Sequence, residues 1–157
     1  KTLSELSSKE AKVFYKAVKA MVMLGEDRSG RIISGAYKKP TLINIFTTAS
    51  KNGVKLSHYG LSFTQIITLA ELGLLYQQEI ETPLLGLNET FKVKHHRQTG
   101  QLTVLQKDVV LTYYKFTPVG FELSKLVRSV EDPGRLNSAF GEIASYVQLD
   151  MGIQVQS

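Results

Sequence analysis

Cysteine is absent from the 157 residues, so the chain has no disulfide, no thiolate metal site and no thiol nucleophile. No run approaches the roughly 18 apolar residues of a membrane span, so no segment is expected to cross a bilayer. No secretory signal pattern opens the chain, and a cytoplasmic location is expected. Lys1 rather than Met comes first, as expected of a piece excised from a longer protein. There is no internal repeat, linker or low-complexity stretch, so residues 1–157 are read as one domain. Hydrophobic residues make up 43% and charged residues 21%, an ordinary globular composition. That balance excludes a disordered tail, a collagen-like fibre and a coiled-coil rod.

Charge is unevenly spread. Residues 1–60 hold 11 Lys and Arg against 4 Asp and Glu, a balance of +7, whereas residues 61–157 carry −2. A basic N-terminal half suits an anionic partner, either nucleic acid or a membrane surface. It equally suits a solvated face that keeps the domain in solution.

Local signals come next. Ser7 and Glu10 have capping-box spacing, and Phe14, Ala17, Val18, Met21 and Leu24 follow at helical intervals up to Gly25. Lys9, Lys12, Lys16 and Lys19 fall on the opposite face. Arg31–Ser34 reads as a brief strand or a packed loop. Pro40 opens a second short helix over about residues 40–50, with Leu42, Ile43, Ile45, Phe46 and Ala49 as its apolar face. Ser62 and Gln65 form another capping box, leading a third helix with the stripe Phe63, Ile66, Ile67, Ala70 and Leu74, closed by Gly73.

Phe91, Val93 and His95 alternate with Lys92, Lys94 and His96, the pattern of a half-exposed strand. Gln98-Thr99-Gly100 reads as a hairpin turn, with Leu102 and Val104 on the returning strand. Val109–Phe116 is a further strand. Thr117-Pro118 starts a helix with Val119, Leu123, Leu126, Val127 and Val130 on one face. Asp132-Pro133 starts the last, with Leu136, Phe140, Ile143, Ala144 and Val147 on its apolar face. Ile153 and Val155 suit a terminal edge strand. Phe14, Met21, Ile66, Ala70, Leu123 and Leu126 are expected to meet in one core.

In this order, Leu61–Leu75 resembles the third helix of a winged helix running into its first wing strand. Tyr113–Val127 resembles the strand-to-helix exit after the wing, with Phe116, Thr117 and Gly120 at the positions of its leucine, threonine, x, x, glycine motif. The opening segment Leu3–Ala11 and the helix Gly60–Leu74 are similar to those of an uncharacterised bacterial family carrying a domain of unknown function. Members of similar type occur beside phage-defence and abortive-infection proteins. The likeness touches the whole chain. It implies an α+β, winged-helix-like fold: helices plus a small antiparallel sheet with an extended wing hairpin. Its motifs are packing signals and carry over no binding or catalytic residue.

Two features depart from a DNA reader. Lys51–Leu61 exceeds the tight turn of a helix-turn-helix. The outward residues of the third helix are Thr64, Gln65, Thr68 and Glu71. None is a cation, and Glu71 repels phosphate. Thr64, Gln65 and Thr68 can contact base edges, or simply form a polar helix surface.

Lys92–Arg97 is the densest basic segment, and Lys92, Lys94 and His96 share one face of it, able to follow a phosphate backbone or to protect a sheet edge. Tyr113 and Tyr114 offer rings for base stacking. His95 and His96, as strand neighbours, are expected to point to opposite faces, so no metal site is expected. Gly30–Gly35 has the glycine spacing of a phosphate loop, but Ala36-Tyr37 replaces the required Lys-Ser/Thr. No nucleophile elbow is present, and Glu79, Glu81 and Glu89 are expected to be solvated charges.

The expectation is therefore a non-catalytic interaction module without cofactor, binding a protein partner or nucleic acid. Its nucleic-acid candidates are Lys12, Lys16, Lys19, Lys92, Lys94, Arg97, Thr64, Gln65 and Thr68. The alternatives are a sequence-specific DNA-binding regulator and an enzyme of unfamiliar type, for which Asp27, His58 and Glu71 are the nearest candidates.

Overall fold

A computed structural model describes residues 3–39, 52–53, 56–127, 134, 140–141, 143 and 149–155. Helix α1 spans Ser8–Ala20. The Ser7 hydroxyl accepts the Glu10 N–H at 3.2 Å, and the Glu10 carboxylate accepts the Ser7 N–H at 2.7 Å. Both donors would otherwise be orphaned at a helix start. The helix ends earlier than its apolar spacing suggests. Met21 is already extended, and Met23–Leu24 forms strand β1. Leu24 and Gly25 thus lie beyond the helix. Gly25, at φ +61°, turns the chain out of β1 and donates its N–H to the Lys92 carbonyl.

Strand β2 runs over Arg31–Lys38, longer than the brief strand expected there. Strand β3 is Asn52–Gly53. The helix expected over residues 40–50 lies outside the described residues. A 3-10 turn at Leu56–Tyr59 precedes α2, Phe63–Glu71, whose Ser62–Gln65 capping box is complete. Gly73, at φ +75°, supplies the left-handed exit that a side chain would disfavour.

The remaining strands are β4 (Ile80–Glu81), β5 (Thr90–His95), β6 (Gln98–Val104), β7 (Val109–Lys115) and β8 (Leu149–Val155). Helix α3 covers Pro118–Ser124, capped by Thr117. The β5–β6 turn is His96-Arg97, with His96 at φ +51°. It is not Gln98–Gly100, because those residues already pair with β5, Gly100 opposite Val93.

Two four-stranded antiparallel sheets result, in the orders β1-β5-β6-β8 and β3-β2-β7-β4. The sequence pointed to one small sheet, and neither β1 nor β3 was expected as a strand. The expected terminal edge strand is present as β8. The chain is α+β, with three helices and two sheets among the described residues.

One cluster joins α1 (Phe14, Ala17, Val18), α2 (Ile66, Leu69), both sheets (Ile32, Ile33, Leu111, Val93, Leu102), Leu123 of α3, and Phe140 with Ile143. Strand β7 is buried on both faces from Val109 to Tyr114. Phe14, Ile66 and Leu123 join the core as expected, and Met21 packs against it partly buried. Ala70 is only half-buried. Leu126 is 66% exposed because α3 ends before it, so the helical spacing no longer aims it inward. Val119 is exposed as well, and the buried positions of α3 are Gly120, Leu123 and Ser124. Phe63, the first residue of α2, is 56% exposed, and the buried positions of that helix are Ile66 and Leu69.

Candidate functional site

Helix α1 buries Val13, Phe14, Ala17, Val18 and Ala20. Lys12, Lys16 and Lys19, spaced by four and three residues, share another face. Beside that face sits the 3-10 turn, anchored by Tyr59, whose buried hydroxyl donates to the Ile33 carbonyl at 2.8 Å. Gly60 takes φ +71° and leads toward α2; a Cβ there would sit 3.7 Å from the Lys16 stem.

Between α1 and the turn lies an open groove of about 680 Å³. Lys12, Lys16, Lys19, Tyr15 and His58–Gly60 line it, together with Ser8 and Ala11, and no carboxylate among the described residues does. None of the side chains of Lys12, Lys16, Lys19, Lys92, Lys94 and Arg97 makes an ion pair or hydrogen bond among the described residues. The groove is thus a concave cationic surface with aromatic walls.

The hairpin cations occupy a second region. Lys92 and Lys94 lie on the exposed face of β5, and Arg97 is exposed in the turn. Lys94 and His96 line a smaller cavity of about 340 Å³ with Met21, Met23, Phe121 and Lys125. The structure therefore splits the predicted basic residues into two groups.

Thr64, Gln65 and Thr68 line neither cavity. Gln65 Oε1 accepts the Ser62 N–H at 3.1 Å, and the Thr68 hydroxyl donates to the Thr64 carbonyl at 3.1 Å. Two of the three candidate base readers are thus engaged in the helix itself.

His95 and His96 do not diverge. Their rings meet edge-on with centroids 4.5 Å apart, because His96 leaves the strand at the turn and breaks the alternation. His95 is fully buried, with Nδ1 2.9 Å from the Met21 carbonyl oxygen. No group of three potential metal ligands occurs among the described residues. Tyr113 and Tyr114 are each 7% exposed, and the Arg31 guanidinium covers the Tyr113 ring at 4.8 Å. Neither is a stacking platform.

Asp27, His58 and Glu71 occupy the turn after β1, the 3-10 turn and the last position of α2. Asp27 is committed locally. The Ser29 backbone N–H, the Arg31 guanidinium and the Ser29 hydroxyl hold its carboxyl at about 2.

A polar cluster in the second sheet escaped the sequence reading. The Ser34 hydroxyl donates to Glu79 at 2.8 Å and lies 3.0 Å from the Thr112 hydroxyl. Tyr37 donates to Glu81 at 2.5 Å, and that bond pushes its phenol up to about 12. The carboxylates Glu79 and Glu81 are thus hydrogen-bonded partners of β2 rather than bare solvated charges. Glu89 accepts the Gly86 N–H at 2.7 Å. No local sequence pattern announces the cluster, because Ser34 sits at a register shift between Ile33 and Gly35 that only the pairing of β2 with β7 creates.

The fold and groove describe an α+β chain with a cationic concavity that no carboxylate among the described residues lines. A family described as protein of unknown function (DUF2806) matches residues 1–135, and the chain belongs to that family. No curated protein and no solved structure shows a significant match to it. No helix among the described residues is long and apolar enough to cross a membrane.

Proposed function

We propose that this chain is a non-catalytic interaction module whose α1 groove holds the phosphates of a nucleic acid. The observation that supports this is the row Lys12, Lys16 and Lys19, whose side chains are unpaired and share the groove with no carboxylate among the described residues. Lysines so placed gain by releasing the counterions condensed on a polyanion. Phosphate contacts carry no sequence information, so binding is insensitive to sequence. Lys92, Lys94 and Arg97 supply a second backbone contact on longer ligands. The winged-helix likeness belongs to this reading. It is supported by α2 running into an extended segment and by the tight β5–β6 hairpin. A bacterial origin, a cytoplasmic location and neighbours among phage-defence proteins are part of the same proposal.

Fluorescence anisotropy with several unrelated oligonucleotides at two salt concentrations tests the reading. The expected result is similar affinity for all, falling steeply with salt. Tight, salt-resistant preference for one duplex would instead support a regulator reading bases through Thr64, Gln65 and Thr68.

A protein partner is the second reading. Leu84, Leu87 and Leu105 are 53%, 47% and 45% exposed. Leu87 and Leu105 flank the Asn88–Val104 hydrogen bond, so two of these apolar side chains belong to adjoining segments. Failure to bind any oligonucleotide at low salt would put this reading in front.

A further inference from the structure

We infer that the α1 groove takes a single strand rather than a duplex, with a base stacked on Tyr15 while Lys12, Lys16 and Lys19 hold neighbouring phosphates; this rests on the nucleic-acid reading above. Tyr15 lines the same groove as the lysines, adjacent to Lys16 and one helical turn from both Lys12 and Lys19. On a helix rising 1.5 Å per residue, Lys12 and Lys16 are about 6 Å apart along the axis and Lys16 and Lys19 about 4.5 Å. A phosphate chain laid along α1 therefore passes the Tyr15 ring.

The shape of the groove separates the two ligands. The groove is an open concavity of about 680 Å³, within the size range of small-ligand clefts, about 300–1,000 Å³. A duplex keeps its base faces inside the stack and cannot offer one to a ring in a concavity. An unpaired strand can, and stacking of this kind tolerates any base. Tyr59 is not the platform, because it is only 6% exposed and its hydroxyl is committed to Ile33. It forms a wall of the groove anchored to β2. His58, exposed at the groove, provides a second planar group.

The test uses the full chain with labelled oligothymidine and oligouridine of about 12 nucleotides and a duplex of equal length. Single strands are expected to bind at least about tenfold more tightly than the duplex. Tyr15→Leu should weaken single-strand binding by about five- to a hundredfold and leave duplex binding unchanged, while Tyr15→Phe, which keeps the ring, should restore it. Crosslinking of the unsubstituted chain to a 5-iodouridine strand, followed by peptide mapping, gives a second readout that needs no variant to fold; adduct formation on Tyr15 is expected. Equal or tighter duplex binding would overturn this inference and leave the phosphate reading standing. Single-strand preference that survives Tyr15→Leu, with the adduct elsewhere, would overturn the stacking assignment. Binding of neither ligand at low salt would overturn both readings.

Discussion

Asp27 sits in a turn whose backbone and side chains all point donors at it: the Ser29 N–H at 2.9 Å, the Ser29 hydroxyl at 2.8 Å and the Arg31 guanidinium at 2.5 Å. Its carboxyl is held at about 2, below the ordinary 3.8. A depressed carboxylate contributes stability that is present above the unfolded value and lost as pH falls through the folded one. Asp27→Asn should therefore lower the melting temperature near neutral pH. The deficit should close as pH falls from about 3.8 to about 2. Thermal unfolding across that range checks it, and a deficit that stays constant would count against the assignment. The effect should be modest, because the Asp27 side chain is half exposed. Leu123 is the opposite case, a 5% exposed side chain in the shared core. Leu123→Ala should cost about 2–5 kcal/mol in urea unfolding. At this scale the buried centres of the helices were legible, because Phe14, Ile66 and Leu123 lie where helical spacing meets the core. Leu126 and Phe63 were not, since spacing does not show where a helix stops or which turn runs past its neighbour.

The junction of α2 and α3 shows what the element scale adds. Thr117 caps α3 by accepting the Gly120 N–H at 3.0 Å and donates its own hydroxyl to the Gly73 carbonyl at 2.5 Å. A Cβ on Gly120 would lie 2.0 Å from the Leu74 carbonyl oxygen. That neighbour is backbone and cannot turn aside. The threonine and glycine of the exit motif are therefore one device, seating the first turn of α3 on the end of α2. Gly120→Ala should destabilise the fold by about 1–3 kcal/mol, an overpacking cost, despite the better helix propensity of alanine. Gly141→Ala, with nothing within 4 Å of an added Cβ, is the control and should change little. Equal melting temperatures for the two variants would contradict the close approach. The capping boxes of α1 and α2, the alternation of β5 and the N-cap of α3 were readable because each is set by residues three or fewer positions apart. The two-residue turn was not. His96 takes a positive φ without being glycine, and the glycine that suggested the turn, Gly100, lies inside β6.

Across the whole molecule, the least legible feature was the pairing of β2 with β7, which sets Ile33 opposite Tyr113 and Ala36 opposite Leu111. Such partners lie so far apart in sequence that no local pattern specifies them. β7 gave no alternation either, because it is buried on both faces, as central strands are. The same long-range assembly shapes the groove, since Tyr59 of the 3-10 turn beside α1 is tied to Ile33 of β2. The lysines of α1 were visible in the sequence as a face; the concavity beside them was not. The most direct test of the account is the salt dependence of single-strand binding by the Lys12→Gln, Lys16→Gln, Lys19→Gln triple variant. Each phosphate neutralised on a single strand contributes a slope of about −0.7 in log affinity against log salt. The account predicts a slope shallower by about 2 and weaker affinity for every sequence alike. An unchanged slope and affinity in a variant that melts like the parent would contradict it.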